Sequence, residues 1–325
     1  MTWEEEHAGS TREIYRRTLV ELARADSRIM CVDSDTGGLE DTFGAELPEQ
    51  YVNVGIAEAN MMGVAAGLAS TGLVPFANTM SAFATARAAE QLRNDVAAAG
   101  RPVCVVATHG GLSAGHYGPT HHALYDLAVL RTMPRMTVIV PADTVETRYA
   151  VRAAALLPGP VFIRLGRSET PLVYREPYEF APGTAVELAA GDDVTVVACG
   201  PLPVRMALQA HHELARDGVS VRVLNMHTVQ PLDRTALLEA ARETAGIVTV
   251  EDHVVAGGLG GAVCEAVCSA HPCPVTVIGA DCAHVDQVGG ERELLAHVGI
   301  TAERVAEAAA RIAVPRTSRG TEKDR

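Results

Sequence analysis

The stretch VCVVAT, residues 103–108, is a short apolar run that ends in a glycine-rich loop at 109–121, and a helical pattern follows at 124–130. Apolar runs of this length, rich in β-branched residues, are typical of strands that are buried on both faces of a parallel sheet. Apolar runs and helical patterns alternate outward from this stretch in both directions. We therefore predict an α/β protein with mainly parallel sheets that are covered on both faces.

A break in the alternation divides the chain. Residues 169–182 are rich in proline and mixed in polarity, which is typical of a linker. We predict two tandem, doubly wound domains, at 1–168 and 186–315, with a linker at 169–185 and a charged, disordered tail at 316–325. The predicted strands are 28–32, 73–76, 103–108, 137–140, 161–165, 194–198, 219–224, 247–250 and 275–278. The predicted helices are 12–24, with Ser10 or Thr11 as its N-cap, 55–70, 83–99, 124–130, 144–156, 204–216, 234–244, one after Gly258, and 302–312.

Composition and charge exclude several classes of function. The 325 residues carry a net charge of −13, which argues against binding to nucleic acid or to an anionic membrane surface. No apolar stretch reaches membrane-spanning length, and the acidic start of the chain does not resemble a signal peptide. The seven cysteines are odd in number and lie mostly in apolar runs, so we expect free thiols, a cytoplasmic protein and no metal site. Cys264 and Cys268 are predicted to be small core residues.

The most informative segment is NVGIAEANMMGVAAGLA, residues 53–69. Glu58 is an acid at the start of a helical pattern whose neighbours are small or apolar. Taken alone, it could simply complement the helix dipole. The surrounding string closely resembles the transketolase motif in which a glutamate meets the aminopyrimidine ring of thiamine diphosphate. The resemblance implies that Glu58 binds and activates this cofactor. A carboxyl group hydrogen-bonded to the ring nitrogen of the aminopyrimidine promotes loss of the C2 proton of the thiazolium, which starts the reaction.

The resemblance extends over nearly the whole chain. Residues 10–170 resemble the pyrimidine-binding domain of transketolases, and residues 185–313 resemble their C-terminal domain. The further matching stretches are PFANTMSAFATARAAEQLR (75–93), THGGLSAGHYGPTHHALYDLAVLR (108–131), VIVPAD (138–143), FIRLGR (162–167) and VTVEDHVVAGGLGGAV (248–263). The chain is most similar to split transketolases, in which this half is a separate polypeptide.

Four further residues are candidates for cofactor binding. Phe83 matches the aromatic residue that packs on the aminopyrimidine ring, and Met80 replaces a second aromatic residue of the usual pattern. Arg87 faces either the cofactor or the subunit interface. Asp35 matches an acid beside the cofactor. From the residues alone, Phe83 could be an ordinary core side chain and Asp35 a turn-forming aspartate.

The substrate-binding residues implied by the resemblance are mostly basic. His121 matches the histidine near the reacting substrate carbon, where an imidazole can exchange a proton near pH 7. His109, Arg167 and Arg12 match groups that hold the substrate phosphate, since arginine and histidine are suitable donors to that anion. A structural histidine and a salt-bridged arginine remain the alternative.

One loop departs from the family pattern. Where transketolases usually have Gly-Glu-Asp-Gly, residues 115–118 are GHYG, and His122 stands where glutamine is usual. Tyr117 therefore replaces an aspartate that contacts a substrate hydroxyl. Tyrosine is bulkier and uncharged, and it donates as well as accepts hydrogen bonds. We expect Tyr117 to bind a donor or acceptor that differs from the ordinary pentose phosphates.

The diphosphate and magnesium site of thiamine enzymes has no counterpart in the sequence. It needs Gly-Asp-Gly followed by a suitably spaced asparagine, and the nearest string, the GDD turn at 191–193, has no such partner. The resemblance therefore implies that an N-terminal, diphosphate-binding subunit carries Mg²⁺, in an α2β2 assembly in which the β subunits also associate. The glycines at 257, 258, 260 and 261 could alternatively form an anion-binding loop at a helix start.

Three functions remain open from the sequence. The first is two-carbon ketol transfer between sugar-phosphate-like substrates, by a subunit that is inactive without its partner. The second is the β subunit of a 2-oxoacid dehydrogenase hybrid, which would deliver a two-carbon unit to a lipoyl or carrier-protein arm. The third is a non-catalytic protein of the same fold, which retention of Glu58 and His121 argues against.

Overall fold

The structure is a computed structural model that describes residues 9–35, 38–282 and 284–313. The predicted tail at 316–325 lies outside the described residues. The strands are β1 Ile29–Asp33, β2 Tyr51–Asn53, β3 Val74–Met80, β4 Cys104–Thr108, β5 Thr137–Ile139, β6 Val161–Arg164, β7 Val186–Ala189, β8 Val194–Ala198, β9 Val221–Asn225, β10 Thr228–Gln230, β11 Ile247–Val254 and β12 Val275–Ala280. The α-helices are α1 Thr11–Ala25, α2 Glu58–Ser70, α3 Ser81–Thr85, α4 Ala89–Gln91, α5 Asp126–Arg131, α6 Thr144–Ala154, α7 Pro201–Arg216, α8 Arg234–Glu243, α9 Leu259–Cys268, α10 Glu291–His297 and α11 Ala302–Ile312.

Two sheets organise the molecule. The first has seven strands in the order β10-β5-β6-β4-β3-β1-β2, and only the pairing of β10 with β5 is antiparallel. The second has five strands in the order β12-β11-β8-β9-β7, with only β7 antiparallel to its neighbour. Both sheets are mainly parallel, which confirms the predicted α/β fold. Strand β10 joins the first sheet although it follows the first strands of the second sheet in the chain.

Helix α1 shows why these residues form these elements. Ser10 caps it: the Ser10 hydroxyl accepts from the backbone N–H of Glu13 at 3.3 Å, and the Glu13 carboxylate accepts from the backbone N–H of Ser10 at 2.9 Å. Ile14, Tyr15 and Leu19 are buried at helical spacing, and the last two pack in the same core as β1. The cap predicted at Ser10 or Thr11 is therefore Ser10.

The helix predicted at 83–99 is wrong. The segment forms α3, then α4, then a π-helical stretch at Leu92–Ala98. The Thr85 hydroxyl donates to the carbonyl of Ser81 at 2.8 Å, and the amide of Ala88 reaches back five residues to the carbonyl of Phe83. A widened turn of this kind interrupts the regular ladder and is frequent at functional sites. Arg87 lies within this turn, and its Nη1 donates to Oε2 of Glu58.

Other boundaries and the cysteines also differ from expectation. The strand predicted at 73–76 continues to Met80, and the helix predicted at 55–70 begins only at Glu58, because Gly55 has φ +69°. Cys268 is exposed and Cys264 half-buried, so the prediction that both are core residues is wrong. The buried face of α9 carries Val263, Ala266 and Val267 instead. Short elements without a distinct pattern were missed, namely β2, β7, β10 and α10.

A buried ion pair within the first half of the chain is also bonded to the second half through a backbone carbonyl. Arg164, 6% exposed, lies at the end of β6, and its Nε donates to Oδ2 of the fully buried Asp126 at 2.7 Å. Its Nη2 donates to the carbonyls of Ala123 and Asp252. The Ser81 hydroxyl also donates to Asp126, at 2.6 Å.

Among the described residues no helix is long and apolar enough to cross a membrane.

We predict that Arg164→Ala lowers the free energy of unfolding by about 3–5 kcal/mol, because it leaves the carboxylate of Asp126 buried without its cation. Replacing both partners, Arg164→Met with Asp126→Leu, should cost less than the single change. Urea unfolding followed by circular dichroism measures this. Arg28→Ala is the control, since the Arg28–Asp26 pair is exposed to solvent and its loss should change the stability little. Equal losses of unfolding free energy for Arg164→Ala and Arg28→Ala would contradict a stabilising role for the buried Arg164–Asp126 pair.

Candidate active site

Most of the predicted site residues follow the carboxyl ends of parallel strands. Asp35 follows β1, Glu58 follows β2, Met80 ends β3, His109 follows β4 and Arg167 follows β6. These strands are parallel neighbours within one sheet, so their carboxyl ends lie at one edge. Helix α1 runs back toward the start of β1, which places its first turn, with Arg12, at the same edge.

Glu58 is the first residue of α2 and is 2% exposed. Nη1 of Arg87 donates to its Oε2 at 2.7 Å. The small and apolar neighbours expected from the sequence are present in part, but an arginine accompanies them. The guanidinium of Arg87 also lies 4.5 Å from the centroid of the Phe83 ring, within cation–π range. An acid, a cation and a flat ring are therefore contiguous.

A row of rings continues from Phe83. The Phe83 and His121 rings meet edge to face at 5.2 Å between centroids. Tyr117 lies 5.0 Å from His121 and 6.0 Å from His109. Phe83 is only half-buried, so it is not an ordinary core side chain. Together with the Glu58–Arg87 pair, these contacts join six of the predicted residues, the last of which is His109.

His109 is 2% exposed, and burial chiefly, with Arg12, Arg167, His116 and His121 adding to it, lowers its pKa to about 4. The imidazole is therefore neutral at pH 7. Its Nδ1 lies 2.8 Å from the Thr108 hydroxyl, whereas Nε2 has no hydrogen-bond partner among the described residues. Nε of Arg12 is likewise buried with no partner in that set. Two arginines and two such nitrogen atoms suit an anionic group.

The remaining predicted residues are less closely connected. Met80 is half-buried, and its backbone is in register with Thr108. Arg167 is exposed, but it is close enough to affect the pKa of His109. Asp35 is exposed in its turn with φ +61°, a conformation that aspartate tolerates better than most residues. The ring and ion-pair contacts described above do not include Asp35.

Sequence reasoning missed one neighbour of the site and left one alternative open. The rings of His116 and Tyr117 lie 3.9 Å apart between centroids and are tilted by 43°. The signal was present, because both residues lie in the GHYG departure.

The glycine loop at 257–261 is bonded to an acid of the same chain. The carboxylate of Glu251 accepts from Leu259 N at 2.6 Å and from Gly260 N at 2.7 Å. The chain's own acid therefore occupies this helix start, and the anion-loop alternative is wrong. Within 9–35, 38–282 and 284–313, no group of three or more His, Cys, Asp and Glu side chains could hold a metal ion.

Comparison with known proteins gives a consistent result. Residues 7–173 match the family model for the transketolase pyrimidine-binding domain, and residues 183–305 match the transketolase C-terminal domain. One of the subunits of the apulose-4-phosphate transketolase of Phocaeicola vulgatus is 40% identical over 92% of this chain and 96% of that protein. The 6-deoxy-6-sulfo-D-fructose transketolase subunit SqwH of a Clostridium species is 39% identical over 92% of each chain. A solved split gene transketolase, described as an inactive beta4 tetramer, superimposes with a TM-score of 0.85 at 40% identity, over 93% of this chain and 97% of that one.

We predict that His109 titrates with a pKa of about 4, well below its ordinary 6.5. Nuclear magnetic resonance of labelled histidine, assigned with His109→Gln, measures it. Since the unfolded chain binds this proton near pH 6.5 and the folded chain near pH 4, the contribution of His109 to stability is present above pH 6.5 and is lost as the pH falls through this window.

Arg12→Gln should raise the pKa of His109, because it removes a nearby cation. Arg17→Gln, an exposed change on the same helix, is the control and should leave it unchanged. A midpoint for His109 above about pH 6, close to the ordinary value for histidine, would contradict the arrangement of these groups.

Proposed function

This chain belongs to the transketolase family, and from that premise we propose that it is the β subunit of a thiamine diphosphate-dependent enzyme that transfers a two-carbon ketol unit between sugar-phosphate-like substrates. The observation that carries the proposal is the unbroken set of contacts from Glu58 through Arg87, Phe83 and His121 to Tyr117. A buried acid beside a flat ring, with a histidine next to it, is the combination that this chemistry needs. The matched relatives do not favour the 2-oxoacid dehydrogenase alternative.

The residues fit the aminopyrimidine end of the cofactor. The ring of Phe83 is partly exposed and offers a packing surface. Arg87 contacts both this ring and the carboxyl group of Glu58. Met80 and Asp35 would border the same group. When bound, thiamine diphosphate supplies the carbon nucleophile that takes up the two-carbon unit. Glu58 would hold a proton on its carboxyl oxygen for a ring nitrogen of the bound group, and Arg87 would balance the carboxylate charge when that proton leaves.

The diphosphate and Mg²⁺ would be held by a partner subunit. An α2β2 assembly is proposed in which the β subunits also contact each other, and in which this chain alone is inactive. Ile56, two residues before Glu58, is 71% exposed, and Tyr117 is 48% exposed. Large apolar and aromatic side chains exposed beside a catalytic edge support a partner that covers it. The split gene relative described as an inactive beta4 tetramer is consistent with this scheme. A cytoplasmic location is part of the same proposal.

On the substrate side, His121 would exchange a proton near the reacting carbon, and Arg12, Arg167 and the neutral His109 would bind the anionic end. Two relatives are named for sugars that bear a phosphate or a sulfo group. Tyr117, packed between His109, His116 and His121, would replace an aspartate as the contact to a substrate hydroxyl. We propose that this change selects a donor or acceptor other than the ordinary pentose phosphates.

We predict that Glu58→Ala lowers the turnover number of the assembled enzyme by about a hundredfold or more, because proton exchange at the cofactor ring is lost. The variant should still assemble with the diphosphate-binding subunit. Turnover with purified complex, alongside size-exclusion chromatography, measures both. Glu90→Ala, an exposed acid near Arg87 in sequence, is the control and should retain activity. The wild-type chain without its partner should be inactive. Wild-type rates in Glu58→Ala would remove Glu58 from the mechanism.

A second prediction concerns the departure at residue 117. Tyr117→Asp should raise kcat/KM for ordinary ketose phosphates, because a carboxylate can accept from the substrate hydroxyl, and the discrimination expected for one such contact is about tenfold or more. A screen of donors and acceptors with the complex measures it. Tyr125→Asp, a change at another exposed tyrosine, is the control. An unchanged substrate profile in Tyr117→Asp would count against a role for Tyr117 in specificity.

A further inference from the structure

The loop that carries the site's histidines is held by the second half of the chain. We call residues 109–124 the histidine loop. Near its start, Leu112 N donates to both carboxylate oxygens of Asp252, at 3.0 and 3.2 Å. In its middle, Gly289 N donates to the carbonyl of Gly115 at 3.2 Å. At its end, Val254 N donates to the carbonyl of Leu124 at 2.9 Å.

A ladder of backbone hydrogen bonds runs from the first of these attachments to His121. Gly115 N donates to the carbonyl of Leu112, Gly118 N to that of Gly115, and His121 N to that of Gly118, at 2.9, 3.3 and 3.0 Å. Ala123 N closes the loop on the carbonyl of Gly111 at 2.9 Å. The position of the Leu112 amide is therefore transmitted along the backbone, three residues at a time, to the imidazole that faces Phe83.

Asp252 is the one side chain among these three attachments. It is 7% exposed near the end of β11, and its own backbone carbonyl accepts from Nη2 of Arg164 at 2.8 Å, so the carboxylate is anchored from behind. Gly111 approaches it so closely that a Cβ at that position would overlap the carboxylate. The backbone of Gly111 and Leu112 thus rests directly on Asp252, two and three residues from His109.

We propose that Asp252 is a positioning residue for the active site, which sets the places of His109 and His121 through the Leu112 amide. The second half of the chain is then part of the catalytic geometry and not only a module for assembly. The consequence for catalysis rests on the function proposed above, whereas the positioning of the loop is a property of the chain itself. The two are tested separately.

Backbone hydrogen–deuterium exchange of the full chain tests the positioning. Asp252→Ala should accelerate exchange of amides at 112–121 by about tenfold or more, because the side-chain acceptor that protects the Leu112 amide is lost. Asp252→Asn keeps one carbonyl oxygen as an acceptor and should give an intermediate effect. Asp193→Ala is the matched control. Asp193 is 3% exposed in the same half of the chain and accepts a backbone bond from Ser220, away from the histidine loop.

Unchanged exchange at 112–121 in Asp252→Ala, or an equal increase in Asp193→Ala, would overturn the positioning role. If Asp252→Ala does not fold, the comparison of Asp252→Asn with wild type decides, with protection of β8 and β11 as the check on folding. In the assembled enzyme, kcat should fall in Asp252→Ala, and it should fall less in Asp252→Asn. The kcat of Asp252→Ala is compared with that of Asp193→Ala under conditions in which the two variants have the same thermal stability. A wild-type complex without ketol transfer would refute the proposed function and leave the exchange result to stand or fall independently.

Discussion

Parallel strand pairing is the constraint on which the rest of this structure depends. Because strands β1, β2, β3, β4 and β6 run in one direction, the segments that follow them must emerge at a single edge of the sheet. Glu58 lies far from His109 in sequence, and both are delivered to that edge by strands of the same sheet. The chemistry then depends on the local turns, which aim each side chain. Gly55 and the widened turn before Ala88 are two such devices.

Buried charge holds this edge against the second sheet. Arg164 and Asp126 lie at the end of β6 and at the start of α5, and the arginine also reaches the carbonyl of Asp252. Burying these groups is costly unless every donor and acceptor is matched. Here the matching uses partners from both halves of the chain. The same network that offsets the cost of burial therefore also fixes the relative placement of β6, the histidine loop and β11.

Local patterns of apolar residues were sufficient to predict the fold class. Motif strings singled out candidate site residues, most of which the structure places just after strands of one sheet. The sequence was not sufficient for contacts between distant segments. Arg87 pairs with Glu58 from a widened turn where a regular helix was expected, and no local pattern marks that change. The anchoring of Leu112 by Asp252 joins residues 140 positions apart, and Asp252 reads in sequence as one more polar residue after a strand. Cys268 was misplaced for a related reason, because small residues cover α9 on more than one face.

Strand β10 belongs to the second half of the chain by sequence, yet it completes the border of the first sheet by pairing with β5. A fragment that ends before β10 would lose this pairing and would expose β5 as an unpaired sheet edge. Truncation or fusion at the proline-rich segment, residues 169–182, would thus create an exposed edge strand that is prone to self-association. Anyone shuffling modules within this architecture would have to move residues 228–230 together with the sheet they complete.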